Sequence, residues 1–360
     1  MSYLYVLIFK MNEIILYISD SSLSSDDEDI VNFIERLNCS RKKRIYRNRL
    51  DHFSTWDEIE FYNRFRLSKR VVNVILALIV DKIQSPTNRN HAITPEQMML
   101  LTLRFLASGN MLITVGDFIG IHKSTAGKCV WKVLKAIAML RSKFLTFPND
   151  VEGLNNLQQG FYKIARFPKV VGALDCSHVK IQSPGGNNAE TYRNRKQFFS
   201  INVQAICSSD LKFLDIVACW QGSAHDSRIF KNSKICAMFE RGNFGNGILL
   251  ADSGYALTKY CITPILTVQT PAENLFNESQ IRTRNPIERT FGVWKRRFTI
   301  LAVGIRLRVW KTQALIVATA ILHNIAVIEK DIVLPNLSAD LEEAVNYVNN
   351  VAYDGVVNRP

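Results

Sequence analysis

The sequence lacks any cysteine pattern. Seven cysteines are scattered along 360 residues with no Cys-x-x-Cys pair. An odd, dispersed set argues against a disulfide framework or a zinc module, and it fits a reducing compartment. Also missing is any uninterrupted apolar run of the roughly 18 residues that a membrane span needs. The first 19 residues, MSYLYVLIFKMNEIILYIS, are apolar, but they have no basic lead and are broken by Lys10, Asn12 and Glu13. Neither a secretory signal nor a membrane partner is therefore expected, and Met11 is a candidate start. Internal repeats and long low-complexity tracts are absent too. Acidic residues are short: 32 Asp and Glu against 45 Lys and Arg leave a net charge of +13. That balance favours a polyanionic partner, nucleic acid before a membrane surface.

What is present is globular. Apolar residues make up 47% and charged residues 21%, enough apolar mass for a sizeable core. Residues 1–54 read as a tail. Within it an acidic, serine-rich stretch, DSSLSSDDED (20–29), gives way to a basic run, SRKKRIYRNRL (40–50). Such a run is either an import signal or nucleic-acid arm, or simply a solvated segment. Residues 55–150 read as helical. Thr94-Pro95-Glu96-Gln97 combines an N-cap, a proline at the first helical position and a capping-box glutamine. Ser108-Gly109-Asn110 should end that helix. A short helix, 115–119, then leads through Gly120 to a long one capped by Ser124. The pair is either a helix-turn-helix offering Lys123, Ser124, Thr125 and Lys128 to DNA, or a plain packing bundle.

Residues 151–330 read as α/β, and 331–360 as a second tail. VVGALD, ending at Asp175, and GILLAD, ending at Asp252, are short buried strands that each close on a carboxylate. VKIQ (179–182) is expected to pair with the first of them. FFSINVQAIC and FLDIVACW form a hairpin across 208–212, and 226–240 is helical. The segment RTRNPIERTFGVWKRRF (282–298) sets Glu288 among Arg282, Arg284, Arg289, Lys295, Arg296 and Arg297. Ile287, Phe291, Trp294 and Phe298 form one apolar helical face. Two explanations of Glu288 stay open. It either closes a capping box on Asn285, with Pro286 at the first helical position, or it is a metal ligand. Carboxylates brought together at strand ends repel one another and call for a proton or a hard cation. Two such cations would serve phosphodiester displacement.

The ordered motifs GALDCSHVKI, GSAHDSRIF, LLADSGY, TPAENLFN, RTRNPIERTFGVWKRRF and AILHNI resemble those of the PIF/Harbinger transposases and the nucleases domesticated from them. The resemblance spans about 55–330. It implies a ribonuclease-H-like mixed sheet with flanking helices, preceded by the all-α region. It makes Asp175, Asp252 and Glu288 the catalytic, metal-binding triad of a DNA nuclease. Asp226 is then a fourth ligand, or alternatively a helix N-cap. Mg²⁺ or Mn²⁺ is the implied cofactor, with Arg289, Lys295, Arg296 and Arg297 on DNA phosphates. DNA, a Myb/SANT-like protein and further copies of the chain are the expected partners, in the nucleus with cytoplasm beside it. Ala251 and Pro286 depart from the usual family residues, and residues 1–19 have no counterpart there. A non-catalytic DNA-binding or adaptor protein on the same fold is the alternative. His178 and His225 are read as structural histidines near the site, and His323 as a buried hydrogen-bonding one.

Overall fold

The computed structural model describes residues 49–87 and 91–331, which belong to one compact unit. The acidic stretch, most of the basic run, the candidate start and the C-terminal tail lie outside the described residues.

Eight helices come first: α1 (His52–Thr55), α2 (Glu58–Phe65), α3 (Lys69–Ile83), α4 (Pro95–Ser108), α5 (Leu112–Phe118), α6 (Lys123–Ala138), α7 (Arg141–Phe144) and α8 (Val151–Ala165). Helix α4 starts on the expected capping box between Thr94 and Gln97, and Gly109 ends it in the left-handed region at φ 65°. Helix α6 differs from expectation. His122 is its cap and its ring accepts from the Ser124 N–H, so Ser124 stands inside the first turn.

The second half alternates strands and helices: β1 (Val170–Lys180), β2 (Ser200–Cys207), β3 (Phe213–Gln221), α9 (Asp226–Lys231), α10 (Lys234–Glu240), β4 (Ile248–Leu250), β5 (Cys261–Ile262), α11 (Pro271–Arg284), α12 (Pro286–Arg297), α13 (Ile300–Val303) and α14 (Val309–Ile328). The sheet order is β3-β2-β1-β4-β5. β1, β2 and β3 run antiparallel, whereas β4 and β5 join parallel to β1. This is a ribonuclease-H-like mixed sheet with helices on its faces.

Two expectations change. VVGALD and the start of VKIQ, Val179 and Lys180, are not separate paired strands but parts of the eleven-residue β1, so Asp175 sits mid-strand. The 226–240 helix is two helices, broken at Asn232 and Ser233. Gly172 lies at an irregularity in the β1–β4 pairing. A Cβ there would come within 2.5 Å of the Ile206 side chain, so only glycine lets the neighbouring strands close over it.

The apolar face of α12 explains its seat. Trp294 is fully buried, and its ring meets Phe213 edge-on at 5.3 Å between centroids. Helix α14 is long and apolar enough to cross a membrane, yet 67% of its apolar window is buried within the protein. It also carries polar anchors. Asn324 Nδ2 donates to Phe213 O and Phe144 O, while its Oδ1 accepts from Phe213 N. His323 Nε2 pairs with Leu211 O at 2.8 Å, as expected, and burial pushes the ring down to about 4. These bonds pin the β2–β3 hairpin to α14.

Candidate active site

Because β1 and β4 are parallel neighbours with Ala173 opposite Leu250, Asp175 and Asp252 follow two residues later on adjacent chains. Asp175 points away from α9 and α10, towards the side covered by α12. Burial pushes its carboxyl up to about 7. Arg284 and the Cys176 N–H oppose that rise, while the charges of Asp252 and Glu288 add to it. The three carboxylates of the expected triad are therefore near enough to feel one another. Between two of them, Asp175 and Glu288, lies a cation that belongs to the protein. Arg284 Nη1 stands 3.3 Å from Asp175 Oδ2, and its Nη2 donates to Glu288 Oε1.

The question about Glu288 is thereby answered. Asn285 is itself helical (φ −49°, ψ −31°) and its N–H donates to Ile281 O. The chain passes from α11 into α12 with barely a break, so no capping box forms there. The true start lies upstream, where Thr270 and Glu273 make the capping box and Pro271 takes the first position. Glu288 is instead the i+4 partner of Arg284.

Asp226 does not join this group. Asp175 and Cys176 are consecutive strand residues and face opposite sides of the sheet. Asp226 interacts with the Cys176 thiol and raises its pKa, second to burial. Asn202 Nδ2 donates to Asp226 Oδ1 at 2.8 Å. Asp226 is the first residue of α9, beside Cys176. The two nearby histidines have structural bonds. His178 Nδ1 meets Ser200 Oγ at 3.1 Å, and His225 Nδ1 meets Arg195 Nη2 at 2.8 Å.

The basic residues divide. Lys123, Ser124, Thr125 and Lys128 are exposed at the start of α6, and Arg289 is exposed on α12, with Arg296 half-buried. Lys295 turns inward. Its Nζ donates to Ser177 Oγ at 2.7 Å and His178 O at 2.9 Å, and burial pushes the ammonium down to about 8. Arg297 is 6% exposed, paired with Asp331 at 3.0 Å and bonded to Arg66 O. It cannot reach a phosphate without unpairing Asp331, so the expected DNA contact is withdrawn.

Residues 174–324 match the DDE superfamily endonuclease family. Over 282 residues, 77% of this chain and 80% of the relative, the sequence is 31% identical to "Putative nuclease HARBI1" of Homo sapiens. The chain belongs to the Harbinger transposase-derived nuclease family. The HARBI1 protein of Rattus norvegicus matches to the same extent. "Protein ALP1-like" of Arabidopsis thaliana is 24% identical over 316 residues, which are 81% of this chain and 76% of that protein. No solved structure matches this Harbinger-family chain.

The donor set fits a hard divalent cation in chemistry: three carboxylates, all oxygen, repelling one another around a buried Asp175. It is not preassembled at ligating distances, since no cluster of three or more metal-binding side chains occurs among the described residues. Arg284 instead stands between Asp175 and Glu288. Two residues escaped the sequence reading. One is Arg284, whose signal was its i,i+4 spacing to Glu288. The other is Gln280, fully buried on α11, whose Nε2 donates to Ala251 O at 2.8 Å and to Ile262 O at 3.3 Å. No local motif announces Gln280, because its partners are distant in sequence.

Proposed function

We propose that this chain is a divalent-metal-dependent DNA endonuclease in which Asp175, Asp252 and Glu288 hold Mg²⁺ or Mn²⁺. The observation that carries the reading is the pairing of Asp175 and Glu288 on Arg284, with Asp175 pushed up to about 7 and the charge of Asp252 adding to that rise. A buried carboxyl so poised gains from exchanging a proton or a guanidinium for a metal. When bound, a divalent cation activates the attacking oxygen and offsets charge on the leaving one. Arg284 swings from the carboxylates to solvent or to a phosphate as the site fills. Lys295 keeps β1 latched to α12 through Ser177. Arg289 and Arg296, with Lys123, Ser124, Thr125 and Lys128 on the helical half, meet the DNA backbone and set its register without reading sequence. A Myb/SANT-like partner and a nuclear location belong to the same proposal, and co-purification from nuclear extract tests both.

The test is nicking of supercoiled plasmid with and without Mg²⁺. Asp175→Ala and Glu288→Gln should each abolish Mg²⁺-dependent nicking while keeping the wild-type circular dichroism. If either variant nicks at the wild-type rate, the assignment is wrong. One observation favours the rival reading of a silent DNA-binding protein, namely the closed seat of Arg284 on two of the three ligands. That reading requires Mg²⁺ to leave both the melting temperature and DNA affinity unchanged.

A further inference from the structure

The helical half carries a groove that the carboxylate site does not use. About 280 Å³ in volume, it lies between the start of α6 and the segment entering α14. Its lining includes apolar Leu307, the ring of Trp131, and the three cations Lys123, Lys128 and Lys311. No Asp or Glu lines it among the described residues. Trp131 meets Trp310 edge to face at 4.8 Å between centroids. Lys311 Nζ stands 5.4 Å and 5.3 Å from the two ring centroids. Trp310 is not part of the lining but adjoins it through Trp131 and Lys311, and it is 51% exposed.

Apolar walls, an adjoining half-exposed indole and three lysines without an acid suit a ligand that combines a flat ring with a negative charge. A duplex stacks its base faces away and offers phosphates and groove edges. An unpaired nucleotide offers both an open base and a phosphate, and aromatic stacking beside a basic track is how single strands are held. An acidic peptide supplies the charge but leaves the tryptophan face without a natural partner. The net charge of +13 and the endonuclease-family match weigh on the same side.

We propose that this groove binds an unpaired nucleotide of single-stranded DNA, its base stacked on Trp310 and its phosphate held by Lys123, Lys128 and Lys311. The groove is separate from the carboxylates. Ile305 N donates to Lys180 O, and Gln182 N donates to Ile305 O. The path into α14 therefore leaves β1 at Lys180, about 16 Å along the strand from Asp175. Binding there stands whether or not the carboxylates cut DNA.

The test is fluorescence anisotropy with the full chain in chelator, so that no cleavage intervenes. The probes are a labelled oligothymidine and a labelled blunt hairpin duplex. Trp310→Ala should weaken the single strand about tenfold while changing the duplex by less than about twofold. Trp310→Phe, which keeps a ring, should stay within about threefold of wild type for the single strand. Lys311→Gln should weaken the single strand and flatten its salt dependence by about one unit of slope. Equal losses on both probes would overturn the proposal, because the surface would then read phosphates alone. No loss on the single strand, or its displacement by a tryptophan-containing acidic peptide but not by unlabelled oligothymidine, would overturn it as well.

Discussion

Replacing Asp175 by asparagine should make the metal-free protein more stable at pH 8, and the gain should shrink on acidification. Burial raises this carboxyl from 3.8 to about 7 in the folded protein. At about 1.4 kcal/mol per pH unit, holding it ionised above pH 7 costs up to about 4 kcal/mol. The sign follows from proton counts: between 3.8 and 7 the folded state binds the proton and the unfolded chain does not, so stability falls as pH rises. Asparagine is neutral throughout and escapes the cost, which already counts the ionic contact with Arg284. A gain of up to about 4 kcal/mol at pH 8 is expected, falling to about 2 kcal/mol at pH 5. Urea unfolding of both proteins in chelator at the two pH values measures it. His323 titrates in the same range but is common to both proteins, so it cancels in the difference. Destabilisation of the variant at pH 8, or a gain equal at both pH values, would refute the account of Asp175. Added Mg²⁺ should reverse the order at pH 8, because only the wild type offers the full donor set.

Arg284→Gln should lower metal-free stability at pH 8 by about 1–2 kcal/mol, since two carboxylates lose their shared cation, and should enlarge the Mg²⁺-induced rise in melting temperature. An unchanged Mg²⁺ response would show that Arg284 does not guard the site. Asp331→Ala strands the buried Arg297 guanidinium and should cost about 3–5 kcal/mol in chemical denaturation, with DNA affinity per folded molecule unaltered. His323 is held down to about 4 from 6.5, so the unfolded chain takes up its proton first and stability is lost as pH falls from 6.5 towards 4, by about 3 kcal/mol. His323→Gln, which keeps a donor for Leu211 O, should flatten that acid limb in a pH-dependent melting series.

The capping box at Thr94 and the β2–β3 hairpin were legible because each is written within a few consecutive residues. Thr94-Pro95-Glu96-Gln97 starts a helix where the local chemistry says it should. The misreadings came where distant contacts decide. β1 runs on past Asp175 because β2 pairs with it as far as Lys180, which no stretch of β1 reveals. Asp226 stands beside Cys176, a neighbour that motif order does not reveal. Asn285-Pro286 has the composition of a helix start, but the capping box at Thr270 had already begun the helix and carried it through. Arg297 read as a surface cation because its partner, Asp331, lies beyond α14.

The near-continuous run of α11 into α12 has a consequence for metal affinity. Gln280 fastens one part of this rod to the carbonyl just before Asp252, and Glu288 projects from the next part. Of the proposed ligands, Glu288 is thus fixed by a helix, and Asp252 follows β4 by two residues at a point that Gln280 anchors. Filling the site then rearranges side chains, chiefly Arg284, and avoids the roughly 1–2 kcal/mol per residue that freezing a mobile backbone would cost. Affinity should accordingly respond to charge at position 284 far more than to temperature or loop composition, so that the cation's entry resembles an ion exchange more than a folding event.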